Sequence, residues 1–144
     1  MAIFGKGIYV DGKLDRAKLA SIVFTDRKKL ERLHSIVHPV VAKAFNDFAM
    51  KNSASPYVLK EAAIIFEHGL EKQLDAVITV VAPDEVRIQR VMERDGISRE
   101  DVQKRIDNQL SQEEKAKRSD FVIVNDGKQL IVPQVLAIHQ QLSR

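Results

Sequence analysis

Arg87, Arg90 and Arg94 recur at spacings of three and four, in a stretch that Pro83, Asp84 and Glu85 open as a helix. At ~100° per residue, the three side chains fall within roughly 60° of one another. Like charges on one stripe repel by about 0.2–0.5 kcal/mol per pair unless something anionic lies between them. Asp95 and Gly96 then break the helix, and Ser98 with Asp101 reads as a capping box that starts a second one. The second helix carries Arg105 and Gln109 one turn apart. Two short basic helices around a tight turn, beside strands, suit a lid that closes over phosphate. The competing reading is a solvated hairpin whose arginines pair locally, Glu93 with Arg90 and Asp101 with Arg105. Spacing alone leaves both open.

The elements that must position this hairpin come from the apolar periodicity. Residues 76–81 (AVITVV) and Phe121–Val124 (FVIV) are buried-strand patterns. Residues 57–59 and 62–66 form a near-continuous apolar run, interrupted by Lys60 and Glu61, that reads as another strand. Strands this apolar, separated by helices, predict a parallel sheet covered on both faces. Residues 127–142 read as a final helix, with Leu130, Val135, Ile138 and Leu142 for packing and Pro133 near its start. The first third is helical. Asp15 caps a helix running to about Phe24, and Thr25 caps the next, on which Leu30, Leu33 and Val37 recur. Pro39 suits the first turn of a third helix, with His38 as its N-cap. Val40, Val41, Ala44, Phe45 and Phe48 would line that helix's inner face, and it frays at Asn52 and Ser53. Ahead of Asp15, Ile3, Phe4 and residues 8–10 are apolar pieces separated by Gly5, Gly7 and Gly12.

A chain of 144 residues is one domain's worth, and its 44% apolar and 30% charged composition is ordinary for a soluble globular protein. The absence of cysteine excludes disulfides, thiolate metal sites and a cysteine nucleophile. No apolar run approaches a membrane span and the first residues lack a secretory pattern, so a cytoplasmic location is expected. With a net charge of +3, basic residues interleaved with acids and no Trp, a nucleic-acid role is weakly supported and a small anionic ligand better. Residues 7–13 (GIYVDGK) match the first seven positions of a phosphate-binding loop, but Leu14 stands where a magnesium-ligating Ser or Thr belongs. Such a loop must also follow a hydrophobic strand and lead into a helix. Asp11 and Gly12 read more simply as a turn.

Several groups of residues, taken in order, resemble the dephospho-coenzyme A kinases. They are Phe4 and Gly5; Asp11, Gly12, Leu14 and Arg16; Val37, His38 and Pro39; and Ile64, Ile65, Phe66 and Glu67. Arg90 and Arg94, Arg105 and Gln109, then Ser119 through Ile123 with Asn125 continue the series. These enzymes use ATP to phosphorylate the ribose 3′-hydroxyl of dephospho-CoA, the last step of coenzyme A synthesis. The resemblance implies an α/β fold: an incomplete P-loop NTPase-type parallel sheet flanked by helices, with a helical substrate domain and a helical lid. On this pattern residues 1–53 are the CoA-side domain, 54–83 and 118–144 the nucleotide-binding core, and 84–117 the lid. Arg90 matches the arginine that reaches the transferring phosphate, where it would neutralise charge on phosphoryl oxygens. Arg94 and Arg105 match further phosphate-holding positions, and Asn125 lies on the adenine side. Arg16, His38 and Glu67 fall on the substrate side. The competing readings are His38 as a cap before Pro39, Arg16 as a surface ion pair and Glu67 as a cap for the next turn.

The departures from the family carry expectations of their own. The family begins with a strand, a phosphate-binding loop and an aspartate base, and none is found here; Ala63 also stands where proline is usual. The chain is therefore expected to be a truncated portion, inactive alone. ATP and Mg2+ serve the full-length family, and neither is expected to bind this chain tightly. In this fold a strand lies between those at 57–66 and 76–81, so exposed sheet edges are expected to drive self-association. A CoA- or phosphate-binding module without catalysis, or another small-molecule kinase such as a nucleoside monophosphate kinase, is the alternative.

Overall fold

The computed structural model describes residues 4–23 and 25–143. The expectations placed on Ile3 and Phe24 lie outside those residues. After Val58 the chain divides into two compact units, Met1–Val58 and Leu59–Arg144.

The first unit opens with a 3-10 turn (Lys6–Ile8) and a hairpin of two short strands, β1 (Tyr9–Val10) and β2 (Lys13–Leu14). Asp11 (φ 50°) and Gly12 (φ 76°) form its two-residue turn. Two consecutive left-handed residues match the twist of a tight hairpin, and an Asp-Gly pair adopts them at little cost. Residues 7–13 are thus a turn and a hairpin, not a loop between a strand and a helix. Helix α1 (Arg16–Val23) starts as expected, with the Asp15 carboxylate accepting from the Lys18 amide at 2.9 Å. Ile8 and Val23 are buried.

Helix α2 (Arg27–Lys51) departs from the sequence reading in three ways. Its cap is Asp26, which accepts from the Lys28 and Lys29 amides, rather than Thr25. The Thr25 hydroxyl is engaged with the Ser21 and Ile22 carbonyls, and Asp is the better cap. Second, there is no break at His38 and Pro39: the helix runs through both for twenty-five residues, with Pro39 inside it. Proline in a helix interior costs ~3 kcal/mol, and long helical segments on either side outweigh that loss. His38 is therefore no N-cap. Third, the expected inner face is not buried: Val40 is 66% exposed, and Val41 and Phe48 are exposed too. The eight-residue α1, ~12 Å long, cannot cover a helix of ~37 Å. Asn52 ends α2, as expected.

Residues 57–66, which straddle the division between the units, are expected to supply a strand, and they do not; 63–69 turn instead, with the Leu70 amide on the Ile65 carbonyl at 2.9 Å. A strand is held by ladder bonds to a neighbour, and none of the described strands runs beside this stretch. The other two strands form as read. β3 (Ile78–Val81) and β4 (Phe121–Val124) pair in parallel, Ile78 against Phe121 through Val81 against Val124. Residues just ahead of β4 fix this register. The Asp120 carboxylate accepts from the Val77 amide at 2.8 Å, and the Thr79 and Ser119 hydroxyls meet at 2.5 Å.

A 3-10 turn (Leu70–Gln73) and four α-helices complete the described part of the second unit: α3 (Asp84–Asp95), α4 (Arg99–Asp107), α5 (Gln112–Lys117) and α6 (Ile131–Leu142). Glutamine side chains tie helices to the sheet. The Gln112 carboxamide accepts from the Ala82 amide at 3.1 Å, just past β3. The Gln134 carboxamide accepts from the Val124 amide at 2.8 Å and donates to its carbonyl at 3.1 Å, standing in for a neighbouring strand. Phe66, Val77, Ala82, Ile88, Val102, Ile123 and Ile138 are buried. Of the residues read as the packing side of α6, Ile138 is buried and Leu142 half-buried, while Leu130 and Val135 are exposed. No helix among the described residues is long and apolar enough to cross a membrane.

Candidate functional site: the arginine hairpin and the end of β4

Helices α3 and α4 form the expected hairpin. Gly96 (φ 65°) ends α3, its amide on the Met92 carbonyl at 2.9 Å. A left-handed residue here lets the chain turn without a Cβ penalty. Ser98 then caps α4: its hydroxyl accepts from the Asp101 amide at 3.2 Å and donates to the Asp101 carboxylate at 2.9 Å. Ile88 and Val102, each 2% exposed, supply the apolar contribution of the two helices. Arg99 spans from α4 to α3, gripping both oxygens of Glu85.

The local pairs considered from the sequence are not the ones that form. Glu93 accepts from Gln89 rather than Arg90, and Asp101 pairs with Lys104 rather than Arg105. Arg87 pairs with Asp84 at 2.8 Å. Arg94 and Arg105 converge on Asp95, at 2.7 and 2.8 Å. Hydrogen bonds from the Arg94 and then the Arg105 guanidinium hold the Asp95 carboxyl down at about 2. Arg90 reaches out of the hairpin: its Nη1 donates to the Asn125 backbone carbonyl at 3.0 Å. Its Nη2 lies 3.8 Å from where a Cβ on Gly127 would stand. Arg90 and Asn125, both singled out in the sequence, are thus brought together, as are Arg94 and Arg105.

Glu67 sits at the root of this hairpin. Its Oε1 accepts from Lys115 Nζ and from the Leu110 amide, both at 2.9 Å. Lys115 also donates to Gln109 Oε1 at 2.9 Å and the Ala63 carbonyl at 3.0 Å. The two side chains are only 16% and 15% exposed, and Glu67 Oε2 is buried without a hydrogen-bond partner. Burial pushes the Glu67 carboxyl up, but the Lys115 ammonium and the Leu110 amide outweigh it, and the net shift is downward. No strand ends at Glu67; the carboxylate anchors the linker between α4 and α5. In the first unit Arg16 is the exposed first residue of α1, and His38 stacks on His34 within α2, ring centroids 4.8 Å apart.

Sequence reasoning missed Asp95 and Lys115. In the sequence Asp95 carries only a helix-breaking signal; its partner Arg105 lies ten residues on, beyond any helical spacing. Lys115 meets Glu67 across 48 positions, a separation with no periodic signature. Among the described residues no group of three or more His, Cys, Asp or Glu side chains could hold a metal ion.

A parallel strand pair, helices about it and a basic hairpin docked on the loop after the second strand make an α/β protein, and its likeness to a solved dephospho-CoA kinase gives it the P-loop NTPase fold. Comparison with known proteins carries this further. The model of the dephospho-CoA kinase family matches residues 1–130, and the chain belongs to that family. A dephospho-CoA kinase of Bacteroides fragilis is 33% identical over 136 residues, 94% of this chain and 66% of its own length. A solved structure from Thermus thermophilus is 36% identical with a TM-score of 0.86, covering 99% of this chain and 74% of its own. That of the dephospho-CoA kinase from Campylobacter jejuni is 29% identical with a TM-score of 0.64, covering 96% and 70%. The chain thus spans about two thirds of the length of the Bacteroides relative.

Proposed function

We propose that the reaction this chain belongs to, and does not perform alone, is ATP-dependent phosphorylation of the ribose 3′-hydroxyl of dephospho-CoA, in the cytoplasm. Residues 1–53 are assigned to the CoA side, 84–117 to the lid, and 54–83 with 118–144 to the nucleotide core. The observation that carries the reading is the Arg90 guanidinium docked on the Asn125 carbonyl, a cation of the arginine hairpin at the carboxyl end of a parallel strand. Ligands of open α/β sheets bind at such ends. In this assignment Arg90 neutralises charge on the transferring phosphoryl group, Arg94 and Arg105 hold the phosphates of ATP, and Asn125 faces the adenine. Arg16, His38 and Glu67 are assigned to the dephospho-CoA side. Magnesium would reach such a site with the phosphates of ATP, since among the described residues no group of three or more His, Cys, Asp or Glu side chains could hold a metal ion.

The chain alone is proposed to be inactive, because residues 7–13 fold as a turn and hairpin and supply no phosphate cradle. Transfer by the chain alone would then have no cradle of backbone amides from residues 7–13. Purified chain with ATP, magnesium and dephospho-CoA is expected to give no ADP above background in a coupled assay. Turnover at ordinary enzymatic rates refutes the inactivity. A second reading, a binding module without catalysis, is favoured by the exposure of Arg90, Arg94 and Arg105. Heat on titration with dephospho-CoA supports it; silence leaves an inert portion. Self-association through the outer edge of β3, where Val80 is 57% exposed, is part of the same proposal. Sedimentation showing a stable monomer at high concentration counts against it.

A further inference from the structure

Two guanidinium groups from different helices converge on one carboxylate. Asp95 Oδ1 accepts from Arg94 Nε at 2.7 Å, and Oδ2 accepts from Arg94 Nη2 at 3.2 Å and Arg105 Nη1 at 2.8 Å. The other ion pairs of the hairpin differ in kind, since Arg87 meets Asp84 and Arg99 meets Glu85 one to one. Forked donors closing on a single anion from two sides is the arrangement by which arginines hold a phosphate. Gly96, left-handed and next in the chain, places the cluster at the bend between the helices.

We propose that Asp95 is a resident stand-in for a ligand phosphate, and so the specificity-determining residue of the hairpin. An incoming anion takes the Arg94 and Arg105 donors that face Asp95 only by displacing it. This rests on the reading of the hairpin as a phosphate cover. A carboxylate spreads one charge over two oxygens, whereas a terminal phosphate group carries about 1.5 to 2 charges and three acceptor oxygens. A polyphosphate brings two or more such groups in one molecule, one for each fork, and wins; inorganic phosphate brings a single group against both forks and does not. Asp95 becomes a filter that admits polyphosphates and rejects small anions.

The test titrates the intact chain with tripolyphosphate and with inorganic phosphate, by calorimetry, in wild type, Asp95→Asn and Asp95→Ser. Asp107→Asn is the charge-matched control: it lies on the same hairpin, and its carboxylate accepts from Gln103 at 2.8 Å. Far-UV circular dichroism confirms that each variant is folded, and the two substitutions at Asp95 guard against one of them failing. Both are expected to bind tripolyphosphate about fivefold more tightly or better than wild type, and to bring inorganic phosphate into the measurable range. Asp107→Asn should change either affinity about twofold at most. Unchanged or weaker binding at Asp95→Asn overturns the proposal and makes Asp95 a simple clamp, while leaving the phosphate-cover reading intact. An equal gain at Asp107→Asn also overturns it, as an effect of net charge. No binding by wild type or by either Asp95 variant removes the phosphate-cover reading and the proposal together.

Discussion

Substituting Lys115→Met tests what fixes the hairpin to its unit. In the wild type Lys115 Nζ is bonded to Glu67, Gln109 and the Ala63 carbonyl. Methionine keeps the stem and removes every donor. Glu67, 16% exposed and already carrying a buried oxygen with no partner, would then hold a charge supported by backbone amides only, that of Leu110 foremost. Breaking a buried pair costs about 3–5 kcal/mol; with this residual exposure about 2–3 kcal/mol is expected. At a urea dependence of about 2 kcal/mol per molar, the unfolding midpoint falls by about 1–1.5 M. The chain has no Trp, and both Tyr residues precede Leu59, so intrinsic fluorescence does not report on this unit. Circular dichroism combined with hydrogen exchange over residues 108–118 does. Loss of protection there, and non-additivity of about 1 kcal/mol or more with Glu67→Gln, is expected. An unmoved midpoint with unchanged protection would refute the assignment of the pair as the anchor.

Ile88→Ala, at the most buried side chain of α3, should cost about 2–4 kcal/mol in the same unfolding assay. Gly96→Ala places a Cβ on a residue at φ 65° and should cost about 1–2 kcal/mol, seen as a lower melting temperature with circular dichroism otherwise unchanged. Pro39→Ala should raise the melting temperature of the first unit, since it restores an amide donor inside α2; a drop would show that proline is needed there. Acid should act through Asp95, whose carboxyl the two guanidinium groups lower from an ordinary 3.8 to about 2. A depressed carboxyl stabilises the fold fully above pH ~4, and that contribution is lost as pH falls toward 2. Asp95→Asn should flatten that part of an acid-unfolding curve.

The arginine hairpin was legible because its signals are local. Gly after a periodic run, Ser three residues before Asp and arginines at three and four all act within one turn, and α3 and α4 follow them. The strands β3 and β4 were legible for a like reason, being short, continuous and apolar. What failed were inferences that needed a partner. Residues 57–66 have the composition of a strand but no described neighbour for a ladder. Val40, Val41 and Phe48 have the spacing of a core face but no element in their unit long enough to cover it. His38 and Pro39 misled in the opposite direction, since a local breaker lost to the continuity of α2. The site residues were named individually, while their grouping through Asp95 and Lys115 required the fold.

The two glutamines beside the sheet bear on how far it can grow. Alternation along parallel strands turns Ile78, Val80 and Ala82 away from β4, and Val122 and Val124 away from β3. Gln112 occupies the last position on one flank and Gln134 the last on the other. A visiting strand would therefore find two free rungs at most on the first flank and one on the second. Amide side chains have bricked up the downstream ends, so any joining of copies here is a brief handhold, never a lengthening seam.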